Sequence, residues 1–392
     1  MKPKLTFFLS HPIQYISPLL QELAKNVDLD VYYYSDLNVI GGFDKGFGQS
    51  IKWDIPLLEG YKSNFLRNFS INNSMNTQIG DAINPGVLKV LWKTKSTIVV
   101  VNSWTYFSDL LVIFTAWIFG KKVWLRAENP LNQELLKKGW KQKIKYYFLN
   151  YFVFKIFVQK FLYIGSENKK FFHYFSVKDS HLIFTPYAVD NEKFKKAYEE
   201  NKLNKNNLKK ELGISATGKV IMYSGKYIEK KRPLDLLKAF ELLNDSEFNL
   251  VLMGEGPLRN ELENYIVKQQ LKNVILTGFI NQSEISKYYS IADVFVMCSG
   301  IGETWGLSAN EAMNFKLPLI LSDTTGSSYD LVISGKNGFI YKEGDIESLS
   351  NCLKKIFSNK FNLLDAGNIS NELINDFNIQ KIVNNILLNL SL

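Results

Sequence analysis

Ser299-Gly300-Ile301-Gly302-Glu303-Thr304-Trp305-Gly306-Leu307-Ser308-Ala309-Asn310-Glu311-Ala312-Met313 decides how this chain is read. It follows an apolar run, Asp293 to Met297, that has the length and composition of a buried strand. The glycines then let the backbone come close to a neighbour, and the chain enters a helix from about Gly306 to Asn314. A strand that passes through such a loop into a helix leaves backbone N–H groups pointing outward, where an anion is favoured.

Two further loops of the same kind precede it. Ser224-Gly225-Lys226-Tyr227-Ile228-Glu229-Lys230-Lys231-Arg232-Pro233 follows the run Lys219 to Ser224 and leads into a helix that begins near Pro233. Cations on a loop at the carboxyl end of a strand can neutralise a diphosphate, although most basic runs are solvated loops. Met253-Gly254-Glu255-Gly256-Pro257-Leu258-Arg259 repeats the strand–glycine–helix pattern, without the third glycine of a dinucleotide fingerprint. Glu303 and Glu311, read on one helix, would lie roughly 12 Å apart along its axis. That span fits a sugar at one carboxylate and a ribose at the other with a diphosphate between them. It fits two ordinary exposed glutamates equally well.

Working outward, strands and helices alternate through most of the chain, which predicts parallel sheets covered on both faces. Residues 1–186 form a first α/β unit and 187–218 a polar connection. Residues 219–375 form a second unit, and 376–392 a final helix. With 392 residues and 46% hydrophobic content the chain can bury two cores. Two distant cysteines, Cys298 and Cys352, make neither a disulfide framework nor a metal spacing, so a reducing compartment is expected. Asp28-Leu29-Asp30 is formally a D-x-D, but its position just before a strand reads as turn chemistry. No secretory leader and no membrane span are expected; the run Tyr146 to Ile164 is long enough but carries Asn150, Lys155, Gln159 and Lys160.

Together the three loops resemble the donor domain of the family 4 glycosyltransferases, which have the two-domain GT-B fold. The likeness continues through Thr277-Gly278-Phe279, Ile291 to Val296, Leu321-Ser322-Asp323 and Asn337-Gly338-Phe339, covering about 185–345. It implies two Rossmann-like α/β/α domains facing across a cleft, with the final helix crossing back to the first. It also implies metal-independent, retaining transfer from a nucleotide-diphosphate sugar, with UDP favoured over GDP and no other cofactor. By the same resemblance Lys226 and Lys231 contact the diphosphate, Glu303 the donor sugar and Glu311 the ribose. The backbone from Thr304 to Leu307 receives phosphate oxygens. Gly225, Gly254, Gly256, Pro257, Phe279, Trp305 and Gly306 complete the donor set. Lys226 stands where the family usually has arginine, losing its planar fork, and Trp305 where phenylalanine is usual. The fold also serves nucleotide-sugar epimerases, and a catalytically silent partner subunit is a further reading.

The first half matches only in layout. Ser10-His11-Pro12-Ile13-Gln14-Tyr15 replaces the familiar glycine-rich loop after the first strand, and Arg126-Ala127-Glu128-Asn129 follows a later one. His11 and Glu128 are therefore acceptor-side candidates, with a structural histidine and an Arg126–Glu128 ion pair as the plainer alternatives. Charge is uneven: residues 1–185 carry 23 Lys and Arg against 13 Asp and Glu, whereas 186–392 carry 24 against 25. Between Glu134 and Glu167 there is no acidic residue, and seven lysines alternate with aromatics over 137–161. A helix of that kind can lie in an anionic bilayer interface, or pack behind a sheet with its lysines snorkelling. The expected partners are a nucleotide-sugar donor, a glycan or lipid-linked acceptor in cell-surface polysaccharide synthesis, and the cytoplasmic face of a bacterial membrane. No recognition motif points to nucleic acid.

Overall fold

The computed structural model describes residues 2–36, 39, 42–44, 46–51, 56–70 and 78–390. The chain divides into two compact units. One comprises 1–42, 55–186 and 379–392, and the other 43–54 and 187–378.

The first unit is built on seven parallel strands: β1 (Lys4–Leu9), β2 (Asp28–Tyr33), β5 (Lys62–Phe65), β6 (Ile98–Val101), β7 (Lys122–Arg126), β8 (Lys160–Tyr163) and β9 (Leu182–Phe184). Their order is β5-β2-β1-β6-β7-β8-β9. The central strands are apolar on both faces; Ile98-Val99-Val100-Val101 is buried throughout, as a sheet covered by helices on both sides requires. One of its cores joins Phe8, Val99 and Leu125 to Val112, Phe154 and Phe172 from the surrounding helices. The helix Ile379–Leu390 belongs to this unit, and its Asn385 donates to the Phe184 carbonyl at 2.7 Å.

The second unit has six parallel strands: β10 (Lys219–Ser224), β11 (Phe248–Met253), β12 (Val274–Leu276), β13 (Val294–Met297), β14 (Leu319–Ser322) and β15 (Gly338–Tyr341). Their order is β12-β11-β10-β13-β14-β15. A small two-stranded sheet, β3 (Gly42–Asp44) with β4 (Gln49–Ile51), comes from the first half of the sequence, yet 43–54 cluster with this second unit.

Three expectations change. Residues 187–218 are not a loose connection: Asn191–Asn201 and Lys205–Glu211 are helices of the second unit. Asp190 caps the first by accepting from the Lys193 N–H at 3.0 Å. Buried Asn191 donates to the carbonyls of Ile374 and Phe377, each at 3.2 Å. A polar sequence hid these helices because they pack through a few buried positions, Phe194 and Leu208 among them. Second, 137–161 is not one helix. Trp140–Tyr147 is α-helical, Phe148–Phe157 is a π-helix, and Phe161 is buried in β8. The side chain of Lys141 lies outside the described residues. Third, Asp28 begins β2 and is paired with Lys62 and Lys4 at 3.1 and 3.4 Å, which accounts for its charge. Among the described residues no helix is long and apolar enough to cross a membrane.

Candidate active site

Parallel sheets bind ligands at the carboxyl ends of their strands, where the strand order reverses. In the second unit that reversal lies between β10 and β13. The loops that follow these two strands are the lysine loop from Gly225 and the glycine–glutamate loop from Ser299, so topology alone brings the two strongest sequence motifs side by side.

Their side chains meet. Lys231, in the short 3-10 turn Glu229–Lys231, forms an ion pair with Glu303 through a very short contact. Both groups are largely buried, and Lys230 reaches across to the Gly302 carbonyl at 3.1 Å. Burial alone would raise the Glu303 carboxyl, but attraction to Lys231 and Lys230 outweighs it and holds the group below the usual carboxylate range. Lys230 moves down, chiefly through desolvation and against the pull of Glu303. The result is a buried carboxylate that stays ionised beside closely spaced ammonium groups.

The helix Leu307–Asn314 begins after this loop, with Gly306 at its N-cap in the left-handed region at φ 94°. Only glycine fits there, since an added Cβ would lie 2.5 Å from the Met297 sulfur. Glu303 therefore lies in the loop and not on the helix, which corrects the one-helix spacing of the two glutamates. The N–H groups of Thr304, Trp305, Gly306 and Leu307 find no acceptor among the described residues. They are the orphan donors that an anion can satisfy.

A second loop braces this one. The Gly326 N–H donates to the Glu303 carbonyl at 3.1 Å and the Ser327 hydroxyl to the Trp305 carbonyl at 2.6 Å. The Ser299 carbonyl accepts from the hydroxyls of Ser322 and Thr324. Sequence reading missed this brace, because small hydroxyl residues after a strand carry no motif of their own.

Glu311 sits on the helix and accepts a hydrogen bond from the Tyr289 hydroxyl at 2.8 Å. Desolvation pushes its carboxyl up to about 7, against the effect of that bond. It is thus poised to ionise near neutrality, unlike Glu303. Trp305 is 2% exposed, donates through its ring N–H to Asn310 at 2.9 Å and packs against Tyr187 and Phe377. Its ring is a core element and presents no surface to a sugar, so only its backbone remains for the role expected of it.

The glycine turns serve close approach. Gly254 bridges to Gly278, and a Cβ there would lie 1.9 Å from the Gly225 carbonyl. Gly256 is equally confined, by the carbonyls of Tyr227 and Gly46, and Pro257 follows it ahead of the helix Arg259–Lys268. Gly46 belongs to the turn between β3 and β4, whose next residue sequence reading did not flag. The Lys226 ammonium lies over the Phe47 ring at 4.5 Å from its centroid, and Phe279 meets the same ring edge-on at 5.0 Å. Lys226 thus has an aromatic neighbour of its own, while its charge is felt by Lys230 beside the Lys231–Glu303 pair.

In the first unit the strand order reverses between β1 and β6. His11 follows β1, and its Nδ1 is 3.0 Å from the Ser10 hydroxyl. Desolvation lowers it to about 4, so the ring is neutral at pH 7. It can exchange a hydrogen bond with an acceptor hydroxyl but brings no charge to a phosphate. Glu128 follows β7 and pairs with nearly buried Arg126 at 3.2 Å; that same guanidinium nitrogen donates to Asn102 at 3.2 Å. The structural ion pair is present, and Glu128 remains partly exposed beyond it. Among the described residues no group of three His, Cys, Asp or Glu side chains stands close enough to hold a metal.

Comparison with known proteins joins these observations. Residues 204–372 match the family described as glycosyl transferases group 1. Over 210 residues the chain is 33% identical to the UDP-Gal:alpha-D-GlcNAc-diphosphoundecaprenol alpha-1,3-galactosyltransferase of Escherichia coli, covering 51% of each protein. Over 142 residues it is 32% identical to the alpha-monoglucosyldiacylglycerol synthase of Acholeplasma laidlawii, covering 35% of each. The chain thus spans about half the length of the first relative and about a third of the second. The structure of Anabaena Alr3699/HepE in complex with UDP superposes with a TM-score of 0.75 at 17% identity, covering 100% of both chains. The fold is GT-B.

Proposed function

We propose, on the premise that residues 204–372 are a group 1 glycosyl transferase domain, that this chain moves a hexose or N-acetylhexosamine from a UDP-sugar to a glycan or lipid-linked acceptor. The observation that carries the reading is the Lys231–Glu303 pair at the strand reversal of the second unit, next to the unsatisfied N–H groups that open the helix Leu307–Asn314. Such a transfer breaks the bond between the anomeric carbon and the diphosphate, and negative charge grows on the departing oxygen. Fixed donors aimed at that oxygen lower the barrier because they need no rearrangement as the charge appears. Lys231, Lys226 and the helix N–H groups supply them. Glu303, kept ionised, accepts hydrogen bonds from sugar hydroxyls while it orients Lys231. Glu311 accepts from the ribose.

With ammonium groups in place of a cation, the reaction proceeds without metal. We assign no protein nucleophile, and the anomeric configuration of the donor is retained. His11, neutral, orients the acceptor hydroxyl, and Glu128 lines the acceptor side. The galactosyltransferase relative is named for a UDP-Gal donor and a diphosphoundecaprenol-linked acceptor, which supports UDP here, and the synthase relative is named for a glucosylated diacylglycerol, which also favours a lipid acceptor. Support for a cytoplasmic, peripheral location comes from the buried free thiols of Cys298 and Cys352 and from the exposed aromatics Trp140, Tyr147, Tyr151 and Phe152 beside lysines.

The test is transfer from UDP-glucose and UDP-galactose to a diphosphate-linked lipid acceptor with chelator present, the product's anomeric configuration being read by NMR. An α-linked product formed in chelator supports the reading. An inverted product, or transfer that requires added metal, contradicts it.

A further inference from the structure

One cavity of about 410 Å³ lies in the first unit, and neither His11 nor Glu128 lines it. Its walls include Asn150, Tyr151 and Lys155 of the π-helix Phe148–Phe157, with Ser176, Lys178 and His181 from the connection between the helix Ser166–Tyr174 and β9. Lys155 precedes β8, and Lys178 and His181 precede β9, so the cavity opens at the amino ends of these strands. His11 and Glu128 follow β1 and β7 and stand at the carboxyl ends of the same parallel sheet. The cavity is therefore not a piece of the acceptor site.

Its chemistry is one-sided. No carboxylate lines it. Asp179, the nearest acid in sequence, is engaged by Lys169 at 2.7 Å and faces His173 at 3.5 Å. Neither Lys155 nor Lys178 has an ion-pair partner among the described residues. Ser176, at φ 61°, ends the helix Ser166–Tyr174 with its N–H on the His173 carbonyl, and so turns the chain toward Lys178. Asn150 is 7% exposed, and its amide N–H₂ donates to the Tyr146 hydroxyl at 3.3 Å. A ten-residue π-helix is itself unusual and places these groups where α-helical spacing would not.

The cavity also shares Tyr151 with an apolar face. Tyr151 is 57% exposed and stacks on Tyr147, while Phe152 and Ile156 stand out on the same π-helix. Phe152 joins Phe157, which Trp117 meets edge-on, so the exposed end of the helix Phe107–Ile118 continues this face. Cationic groups in a recess beside projecting aromatics are the complement of a lipid with an anionic phosphate at the interface and acyl chains beyond it.

We infer that this cavity is a binding site for the phosphodiester headgroup of an anionic phospholipid, at the opposite end of the sheet from His11 and Glu128, with Lys155, Lys178 and His181 on the phosphate and Tyr151 and Phe152 against the lipid's glycerol and chains. This rests on the membrane association proposed above.

The test uses the full chain and two double variants of equal charge, Lys155→Ala/Lys178→Ala in the cavity and Lys138→Ala/Lys143→Ala outside it. Dihexanoyl phosphatidylglycerol below its micelle concentration is titrated by NMR, with inorganic phosphate as the competing arm. Saturable binding by the wild type, weakened at least tenfold in the cavity variant and within twofold in the other, supports the site. Equal weakening in both variants, no saturable binding by the wild type, or inorganic phosphate binding as tightly as the lipid overturns it. Sedimentation with phosphatidylglycerol vesicles runs in parallel. Wild-type protein that fails to bind vesicles removes the membrane reading itself, whereas vesicle binding without the soluble-lipid site removes only the cavity.

Discussion

The two units are built alike and armed differently. Each is a parallel sheet with one reversal of strand order, and each sets candidate residues on the loops at that reversal's carboxyl side. In the second unit those loops hold an ionised, buried Lys231–Glu303 pair and free N–H groups. In the first, the loop after β1 holds a neutral imidazole, and the loop after β7, one strand beyond the reversal, holds a glutamate already engaged by Arg126. Topology selects where a ligand binds, and loop chemistry selects which ligand. A diphosphate demands charge and close backbone approach, whereas a hydroxyl acceptor demands only a hydrogen bond.

The sharpest way to break this contrast is Lys231→Ala. Loss of a preorganised donor to the leaving oxygen should lower kcat/KM by roughly 10³-fold. Because Glu303 is left buried with only part of its compensation, the variant should also lose about 3 kcal/mol of stability in urea unfolding. Lys231→Ala/Glu303→Gln should recover much of that stability and none of the activity. A double variant that regains turnover would show the pair to be structural.

His11→Ala probes the other half. The ring is uncharged above about pH 5, so transfer should fall roughly tenfold, the cost of a lost hydrogen bond, with no new pH dependence between 6 and 8. Hydrolysis of donor without acceptor should stay within about twofold, since His11 belongs to the unit that lacks the charged clamp. A fall in both rates would erase the division of labour.

Glu311 sharpens the comparison through pH. Its carboxyl titrates near 7, and the carboxylate accepts from ribose hydroxyls far more strongly than the acid, which keeps only its carbonyl oxygen as a good acceptor. Donor affinity should therefore weaken about tenfold between pH 8 and 6 when followed by calorimetry. The sign for stability is opposite. The folded value lies above the ordinary 4.5, so the unfolded chain gives up its proton first and stability falls as pH rises through that window. Glu311→Gln should raise the Tm at pH 8, lose that advantage below about pH 4.5 and bind donor poorly at both.

The smallest effect is expected at Phe47. Removing the ring beneath the Lys226 ammonium should raise the donor KM about threefold and leave kcat nearly unchanged, in line with a partly exposed cation–π contact. An unchanged KM would detach the β3–β4 turn from the donor site.

Much of this was legible in the sequence where one residue type has one physical meaning. Gly254 and Gly306 mark close approach and a left-handed cap, and the buried runs of β10 and β13 mark central strands. What escaped was set by contacts distant in the chain. Nothing local tells that Ser327 and Gly326 hold the Glu303 loop, or that Phe47 comes from another part of the sequence to lie under Lys226. Trp305 was misread because an aromatic in a ligand loop and an aromatic in a core look alike until its packing against Tyr187 and Phe377 is known. The aromatic run 137–161 hid a change from α- to π-helix and then to strand, since all three accept large apolar side chains.

The most direct measurement is calorimetric titration of UDP-glucose and UDP-galactose into the full chain at pH 8, in parallel with Lys231→Ala and Glu311→Gln. The account predicts saturable binding of one UDP-sugar by the wild type and at least tenfold weaker binding by each variant. Unchanged affinity in both variants would contradict a donor site at the strand reversal of the second unit.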